Sequence, residues 1–190
     1  MAELNILPDN LPAPADDGAC DHLTGARLPG VALASTLGAA INLGALRGTT
    51  VLYCYPLTGR PDQSLPSGWD AIPGARGCTP QSCAFRDQYL HFRELGADVY
   101  GISTQTTDYQ TEAAQRLHLP YALLSDAGLS LAHALRLPTF TVDDRTLLKR
   151  LTLIAEDGVI RKVFYPVFPP DRNAQEVAVW LRQSAGVLPH

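Results

Sequence analysis

Two cysteines, Cys78 and Cys83, stand five positions apart in the run Gly77-Cys78-Thr79-Pro80-Gln81-Ser82-Cys83-Ala84-Phe85-Arg86-Asp87. Thr79 reads as a helix cap. Pro80 suits a first helical turn, where its missing N–H would have no partner anyway. Phe85, Tyr89 and Phe92 follow at i, i+4 and i+7, which predicts one apolar stripe on a helix that stops at Gly96. A thiol at the N-terminal end of such a helix meets unpaired N–H groups and the positive end of the macrodipole. Both favour thiolate, the reactive form. The chemistry is therefore that of a nucleophilic or redox cysteine, Cys78, with Cys83 as partner. On an intact helix five residues rise about 7.5 Å, whereas a disulfide wants Cα atoms about 4.4 to 6.8 Å apart. The two sulfurs can bond only if the first turn unwinds. On spacing alone a plainer reading stands beside this one: two small buried hydrophobes at a helix start.

The elements around this run must position it. A strand, Thr50–Tyr55, precedes it, and Cys54 within that strand reads as core packing. Between them lies a loop, Leu57 to Gly77, rich in Gly and Pro and long enough to be functional. Trp69 and Ile72 are the residues expected to pin it. Arg76, two positions before Cys78, either adjusts its acidity or faces water. Upstream, Val31–Ser35 and Ala39–Leu43 read as a hairpin around Gly38. Residues 1–16 read as a flexible arm, the rest, 17–190, as one domain. Cys20 reads as a bystander on a mobile segment.

Downstream come a strand at Asp98–Ser103, a helix at Thr107–Leu117, a short strand at Tyr121–Leu124 and a helix at Leu129–Leu135. A hairpin follows, Leu151–Ala155 and Val159–Tyr165 around Glu156-Asp157-Gly158, and then an amphipathic helix, Asn173–Ser184. Early alternation of strand and helix implies parallel pairing, and the late hairpin antiparallel pairing. The expected fold class is α/β, with a mixed central sheet flanked by helices and an N-terminal β-hairpin.

Composition excludes several classes. The 190 residues are 46% apolar and 18% charged, with a net charge of −4 and no long basic run. Nucleic acid and anionic membrane are thus excluded as main partners, and no apolar run approaches the ~18 residues of a membrane span. The first 17 residues hold no Lys or Arg and lack the pattern of a signal peptide. The expectation is a cytoplasmic protein with reduced thiols. The five histidines show no ligand spacing with the cysteines, so neither metal nor cofactor is expected.

With these residues in view, the chain from about Asp17 to Ser184 resembles the peroxiredoxin family, most closely its Q-type, or bacterioferritin-comigratory, thiol peroxidases. The resemblance rests on Tyr55-Pro56, on Cys78-x4-Cys83-x-Phe85-Arg86-Asp87, and on Arg150-Leu151-Thr152-Leu153-Ile154 before a Gly turn. It implies a thioredoxin-like fold. It also implies that Cys78 attacks the peroxide and becomes a sulfenic acid. Cys83 then resolves this as an intramolecular disulfide, Arg150 stabilises the thiolate and orients the peroxide, and Pro56 shields the pocket. The implied partners are a peroxide substrate, hydrogen peroxide or an organic hydroperoxide, and a thioredoxin or glutaredoxin-like reductant, with the chain a monomer or homodimer. Two departures stand out. The family's Pro-x-x-x-Thr/Ser-x-x-Cys is interrupted by the 57–77 loop, and Ala75 replaces the hydroxyl residue three before the cysteine. Thr58, just after Pro56, is the expected substitute, and Thr79 a weaker one. A second insertion, around Thr139–Leu148, precedes Arg150. The competing readings are a redox-sensing or thiol-disulfide exchange protein on the same fold, and a binding domain with structural cysteines.

Overall fold

The computed structural model describes residues 4–186. Residues 1–3 of the expected arm and 187–190 of the expected domain lie outside that span. The central sheet has seven strands. They are β1 (Ala32–Ser35), β2 (Gly38–Asn42), β3 (Thr49–Cys54), β4 (Ala97–Ser103), β5 (Leu123–Ser125), β8 (Leu151–Glu156) and β9 (Val159–Phe164), in the order β2-β1-β5-β4-β3-β8-β9. β3, β4 and β5 pair in parallel, while β8 and β9 extend the sheet antiparallel on one side and β1 and β2 on the other. The sheet is mixed, as the sequence implied.

Alternation along β3 divides the core. Val51, Tyr53 and Tyr55 face one layer, with α1 (Cys78–Asp87), α2 (Tyr89–Glu94) and α5 (Asn173–Ser184). Leu52 and Cys54 face the other, with α4 (Ser130–Leu135) and residues 20–28. Strands buried on both faces read as nearly continuous apolar runs, and Val51 to Tyr55 does so. α3 (Thr107–Arg116) connects β4 to β5.

Four details depart from the sequence reading. The helix expected to run from the cysteines to Gly96 breaks at Gln88, whose φ of −102° and ψ of 7° leave the helical region. An interrupted ladder of this kind lets a helix bend, and it keeps Phe85 and Phe92 stacked on the core side at 5.6 Å. Thr79 is not a cap: the helix begins one residue earlier, at Cys78, with Gly77 at φ 103° before it and no side-chain cap. A Cβ at residue 77 would also lie 2.4 Å from Pro170, so both backbone and space require glycine there. Cys20 is buried in the core beside Leu23 and Leu28 rather than exposed on a mobile segment. Burial, followed by the charges of Asp17, Asp16 and Asp21, pushes its thiol up to about 12.

The fourth departure concerns the second insertion. Residues 139–148 form a separate two-stranded ribbon, β6 (Thr139–Val142) and β7 (Arg145–Leu148). It turns at Asp143-Asp144, both at positive φ as a tight hairpin turn demands. The first insertion, 57–77, is a loop except for one 3-10 turn at Trp69–Ala71. The two insertions pack on each other: Leu57, Trp69, Ala75 and Leu147 form a third apolar cluster, with Ile72 and Phe140 against it. Trp69 and Ile72 thus take the pinning position expected of them. Residues of the arm lie along the first insertion, with Leu4 near Gly59, Leu7 near Gly77 and Pro14 near Gly74.

Candidate active site

Cys78 is the first residue of α1 and only 3% exposed. Its sulfur sits at the edge of the sheet where the parallel strands end, a common location for sites in α/β folds. β3 continues as Tyr55, whose N–H still pairs with Ile102, and then turns at the buried Pro56 and Leu57. That turn aims the Leu57 N–H at the Cys78 sulfur, 3.4 Å away. The thiol itself faces the Ala75 carbonyl at 3.6 Å.

Arg150 approaches from the residue before β8 and is 3% exposed. Its Nη2 donates to the Cys78 sulfur at 3.2 Å, to the Ala75 carbonyl at 3.0 Å and to the Arg76 carbonyl at 3.1 Å. Its Nε donates to the Gly74 carbonyl at 3.3 Å, and its Nη1 to Oε1 of Gln81. The planar fork therefore binds the loop just before Cys78 and the helix just after it, which a lysine's point charge would not do. Behind it runs a fully buried chain. Gln81 Nε2 donates to Asn173 Oδ1 at 3.0 Å, and Thr152 Oγ1 donates to the same oxygen at 2.7 Å. Arg150 and Thr152 share one face of the strand by period-two alternation, so both the charge and its distant support come from the Arg150-Leu151-Thr152 triplet.

The structure brings together Cys78, Arg150, Pro56 and Leu57. Thr58 lies next to them, fully buried, but its hydroxyl donates to Gln105 Oε1 at 3.0 Å rather than to the sulfur. Ala75 offers only its carbonyl. Arg76 is buried and pairs with Asp70 at 3.0 Å, so it does not simply face water. Asn173 and Gln105 are site residues that the sequence leaves unassigned, and Gln81 is one it leaves open between orienting the helix start and facing water; the structure buries it between Arg150 and Asn173. Gln81 carried a usable signal, since it is three residues after Cys78 and shares its helix face. Asn173 and Gln105 carried none.

Cys83 sits in the same helix and is partly exposed, unlike the other three, which are buried; all four thiols are unbonded. Burial above all pushes its thiol above the ordinary range, with Arg86 opposing. The residue before it is held from the core. Tyr121 donates its hydroxyl to the Ser82 carbonyl at 2.8 Å, and Tyr53 donates to the Ser82 hydroxyl at 3.1 Å. Among the described residues no group of three or more His, Cys, Asp or Glu converges as a metal site, and no helix is long and apolar enough to cross a membrane.

Comparison with known proteins agrees with this geometry. The redoxin family model matches residues 23–178. The chain is 31% identical to the chloroplastic peroxiredoxin Q of Suaeda salsa over 160 residues, 83% of this chain and 67% of that one. It is equally identical to that of Sedum lineare over 154 residues, 80% of this chain and 74% of the relative. Among solved structures, peroxidoxin BcpB from Mycobacterium tuberculosis shares 27% identity at a TM-score of 0.69, covering 84% of this chain and 96% of that one. Peroxiredoxin Q from Xanthomonas campestris shares the fold, with a TM-score of 0.64 at 19% identity over 92% and 98% of the two chains. A family match over most of the chain and a cysteine at a helix start beneath a buried arginine lead to one assignment: the chain belongs to the redoxin family and, within it, to the Q-type peroxiredoxins, thiol peroxidases of thioredoxin-like fold.

Proposed function

We propose that this peroxidase reduces hydrogen peroxide and organic hydroperoxides through Cys78, with Cys83 as its resolving thiol. The observation that carries the reading is the convergence of two N–H donors, from Arg150 and Leu57, on one sulfur at the first position of a helix. In the first step the Cys78 thiolate attacks the terminal peroxide oxygen. The O–O bond breaks, a Cys78 sulfenic acid forms, and the departing alkoxide or hydroxide takes up a proton. Fixed donors around the reacting atoms lower the barrier because they need no reorganisation. In the second step the Cys83 thiol displaces hydroxide from the sulfenic sulfur, forming a disulfide and releasing water. A dithiol reductant of the thioredoxin or glutaredoxin class then attacks the disulfide and leaves oxidised, restoring both thiols. Pro56, buried one residue before Leu57, takes the role of shielding the sulfur from water in this reading. The setting proposed is the cytoplasm, where thiols are kept reduced.

Both cysteines lie within α1, so disulfide formation must open its first turn. Opening releases Ser82 from Tyr53 and Tyr121, and Gln81 from Arg150. A solved structural neighbour, the Xanthomonas campestris bacterioferritin comigratory protein, is described as having alkyl peroxide reduction activity, which supports an organic hydroperoxide as one substrate here. One observation favours the sensing alternative: Cys78 is 3% exposed and its sulfur lies against Leu57 and Ala75 of the first insertion, which fits slow turnover.

The test is one equivalent of hydrogen peroxide on the reduced protein, followed by disulfide mapping. The expected product is a Cys78–Cys83 bond, and Cys83→Ser should stop at a Cys78 sulfenic acid. Multiple turnovers of peroxide-dependent thioredoxin oxidation support the peroxidase; a single turnover supports the sensor. A Cys78 that stays reduced overturns both.

A further inference from the structure

Leu57 supplies an N–H to the Cys78 sulfur, but the grip that aims it acts on the next residue. The Gln105 carboxamide holds Thr58 by both backbone groups. Its Oε1 accepts the Thr58 N–H at 3.0 Å, and its Nε2 donates to the Thr58 carbonyl at 3.1 Å. A side-chain amide here does what a neighbouring strand would do, exchanging both bonds with one residue. The same Oε1 also takes the Thr58 hydroxyl at 3.0 Å. Gln105 is itself held: its N–H donates to Ser103 Oγ at 3.3 Å, and its carbonyl accepts from Ser125 Oγ at 2.6 Å. Gln110 Nε2 braces Ser103 Oγ at 2.9 Å and the Leu124 carbonyl at 2.9 Å. Ser103 ends β4 and Ser125 ends β5. Gln105, Thr58, Ser103 and Gln110 are all buried. The clamp therefore anchors the turn after β3 to the two parallel strands beside it.

This bears on the missing hydroxyl. Ala75 has none to offer, and the one hydrogen on the Thr58 hydroxyl is committed to Gln105. We infer that Gln105 is a positioning residue for peroxide reduction: by clamping residue 58 it keeps the Leu57 N–H aimed at Cys78, and that N–H serves as a second donor to the sulfur beside Arg150. The inference rests on the reading of Cys78 as the nucleophile. A shift of about 1 Å in such a donor is enough to cost up to ~100-fold in rate.

Glutamate at 105 makes the test specific. A carboxylate still accepts from the Thr58 N–H but repels the Thr58 carbonyl, whereas a protonated carboxyl restores the donor. The partners of residue 105, namely Thr58, Ser103 and Ser125, do not titrate across the acid range. Tyr109 and Arg145 line the adjacent cleft, and burial pushes the Tyr109 hydroxyl above its ordinary range, away from the acid window of the test. The experiment is rapid-mixing oxidation of the reduced protein by hydrogen peroxide, with disulfide formation read as a separate phase. Gln105→Met is expected to lower the oxidation rate at least about tenfold, with the disulfide phase within about twofold of wild type. Gln105→Glu should show a similar loss at pH 7.5 that shrinks, relative to wild type at each pH, as the pH falls towards 5. Thr58→Val, which keeps both backbone bonds, should lose less than Gln105→Met. Oxidation of Gln105→Met at the wild-type rate, or a Gln105→Glu deficit that ignores pH, overturns the clamp. So does a loss in Thr58→Val equal to that of Gln105→Met. If the wild type itself ignores peroxide, the nucleophile reading fails and the clamp with it; a reactive wild type confines any failure to the clamp.

Discussion

The Cys78 sulfur is held from two sides built on different physics. On one side Arg150, Gln81, Asn173 and Thr152 form a continuous buried chain of polar bonds, each member fixed by an element of the central fold. On the other side the two insertions meet through Leu57, Trp69, Ala75 and Leu147, an apolar cluster outside the two main cores. The polar side sets the direction of the Arg150 donor, because hydrogen bonds are directional and buried ones are costly to leave unmade. The apolar side, whose burial of carbon is non-directional and tolerates rearrangement, is the one expected to govern what reaches the sulfur. Catalytic rate should therefore depend on the first region and substrate choice on the second. Substitutions in each can break that division.

Arg150→Met should have the largest effect. It removes a donor to the sulfur and leaves three carbonyls, those of Gly74, Ala75 and Arg76, without their shared partner. Loss of one preorganised donor typically costs about 100- to 1,000-fold, and the oxidation rate of Cys78 should fall by that order. Arg150→Lys should not rescue it, since an ammonium cannot span both the loop and Gln81. A rate within about tenfold of wild type in Arg150→Met would show that the arginine is structural.

Asn173→Ala reaches the same chain at its far end. Gln81 Nε2 and the Thr152 hydroxyl would both lose their acceptor in a buried setting. A stranded polar group of this kind costs about 1–3 kcal/mol of stability. The oxidation rate should also fall, by less than in Arg150→Met, because Gln81 is then free to drift from the guanidinium. Denaturant midpoints and single-turnover rates read the two effects separately. Stability lost with the rate untouched would mean that the chain braces the fold and not the arginine.

Trp69→Ala tests the apolar side. Trp69 is 3% exposed and lies 6.2 Å from Phe140, ring to ring, so it joins the two insertions directly. Hydrogen peroxide needs little room, and its rate should change by no more than about threefold. A bulky alkyl hydroperoxide should gain relative to hydrogen peroxide as the cluster loosens. If both peroxides slow together and as strongly as in Asn173→Ala, the insertions belong to the catalytic apparatus and the division drawn above is wrong.

The two sides also differ in how far they can be read from residues. Arg150 is legible through the family resemblance, since on its own it reads as a strand-start arginine in a surface ion pair, and Cys78 because Pro80 marks a helix start, although the residue before the helix is Gly77 and the cap read at Thr79 is not there. The central sheet is legible from pattern and turns together: β3 and β8 are mostly apolar and β1 alternates, while β2 and β9 follow from the hairpin turns at Gly38 and Glu156-Asp157-Gly158. Asn173 is illegible: it reads as the start of an amphipathic helix, and only the tertiary fold places it against β8. The ribbon of β6 and β7 was within reach, as Thr139-Phe140-Thr141-Val142 alternates and Asp143-Asp144 suits a tight turn. A two-stranded ribbon is marginal alone, though, and its packing partner lies more than sixty positions away in the 57–77 loop. Gln105 follows β4 in a polar stretch, where nothing local separates a clamp from a solvated turn.

The smallest effect concerns how Asp17, the first residue after the N-terminal arm, is tied beside this site. Asp17 accepts from Lys149 Nζ at 2.8 Å and from the Tyr165 hydroxyl at 2.8 Å, and Lys149 directly precedes Arg150. The lysine bond first and the tyrosine bond second hold the Asp17 carboxyl down at about 2, against an ordinary 3.8. A depressed carboxylate stabilises the folded state above its ordinary pKa, and that contribution fades as the pH falls from about 4 through about 2. Asp17 is largely exposed, so solvent and salt weaken the tie. Asp17→Asn should therefore unfold at slightly lower denaturant than wild type at pH 6, with the gap narrowing in high salt and closing near pH 2. The oxidation rate should move less than in Trp69→Ala, since the tie holds Lys149 and not the guanidinium next to it. A rate loss as large as that of Asn173→Ala, or a stability gap that persists at pH 2, would mean that this tie supports the polar side of the site itself.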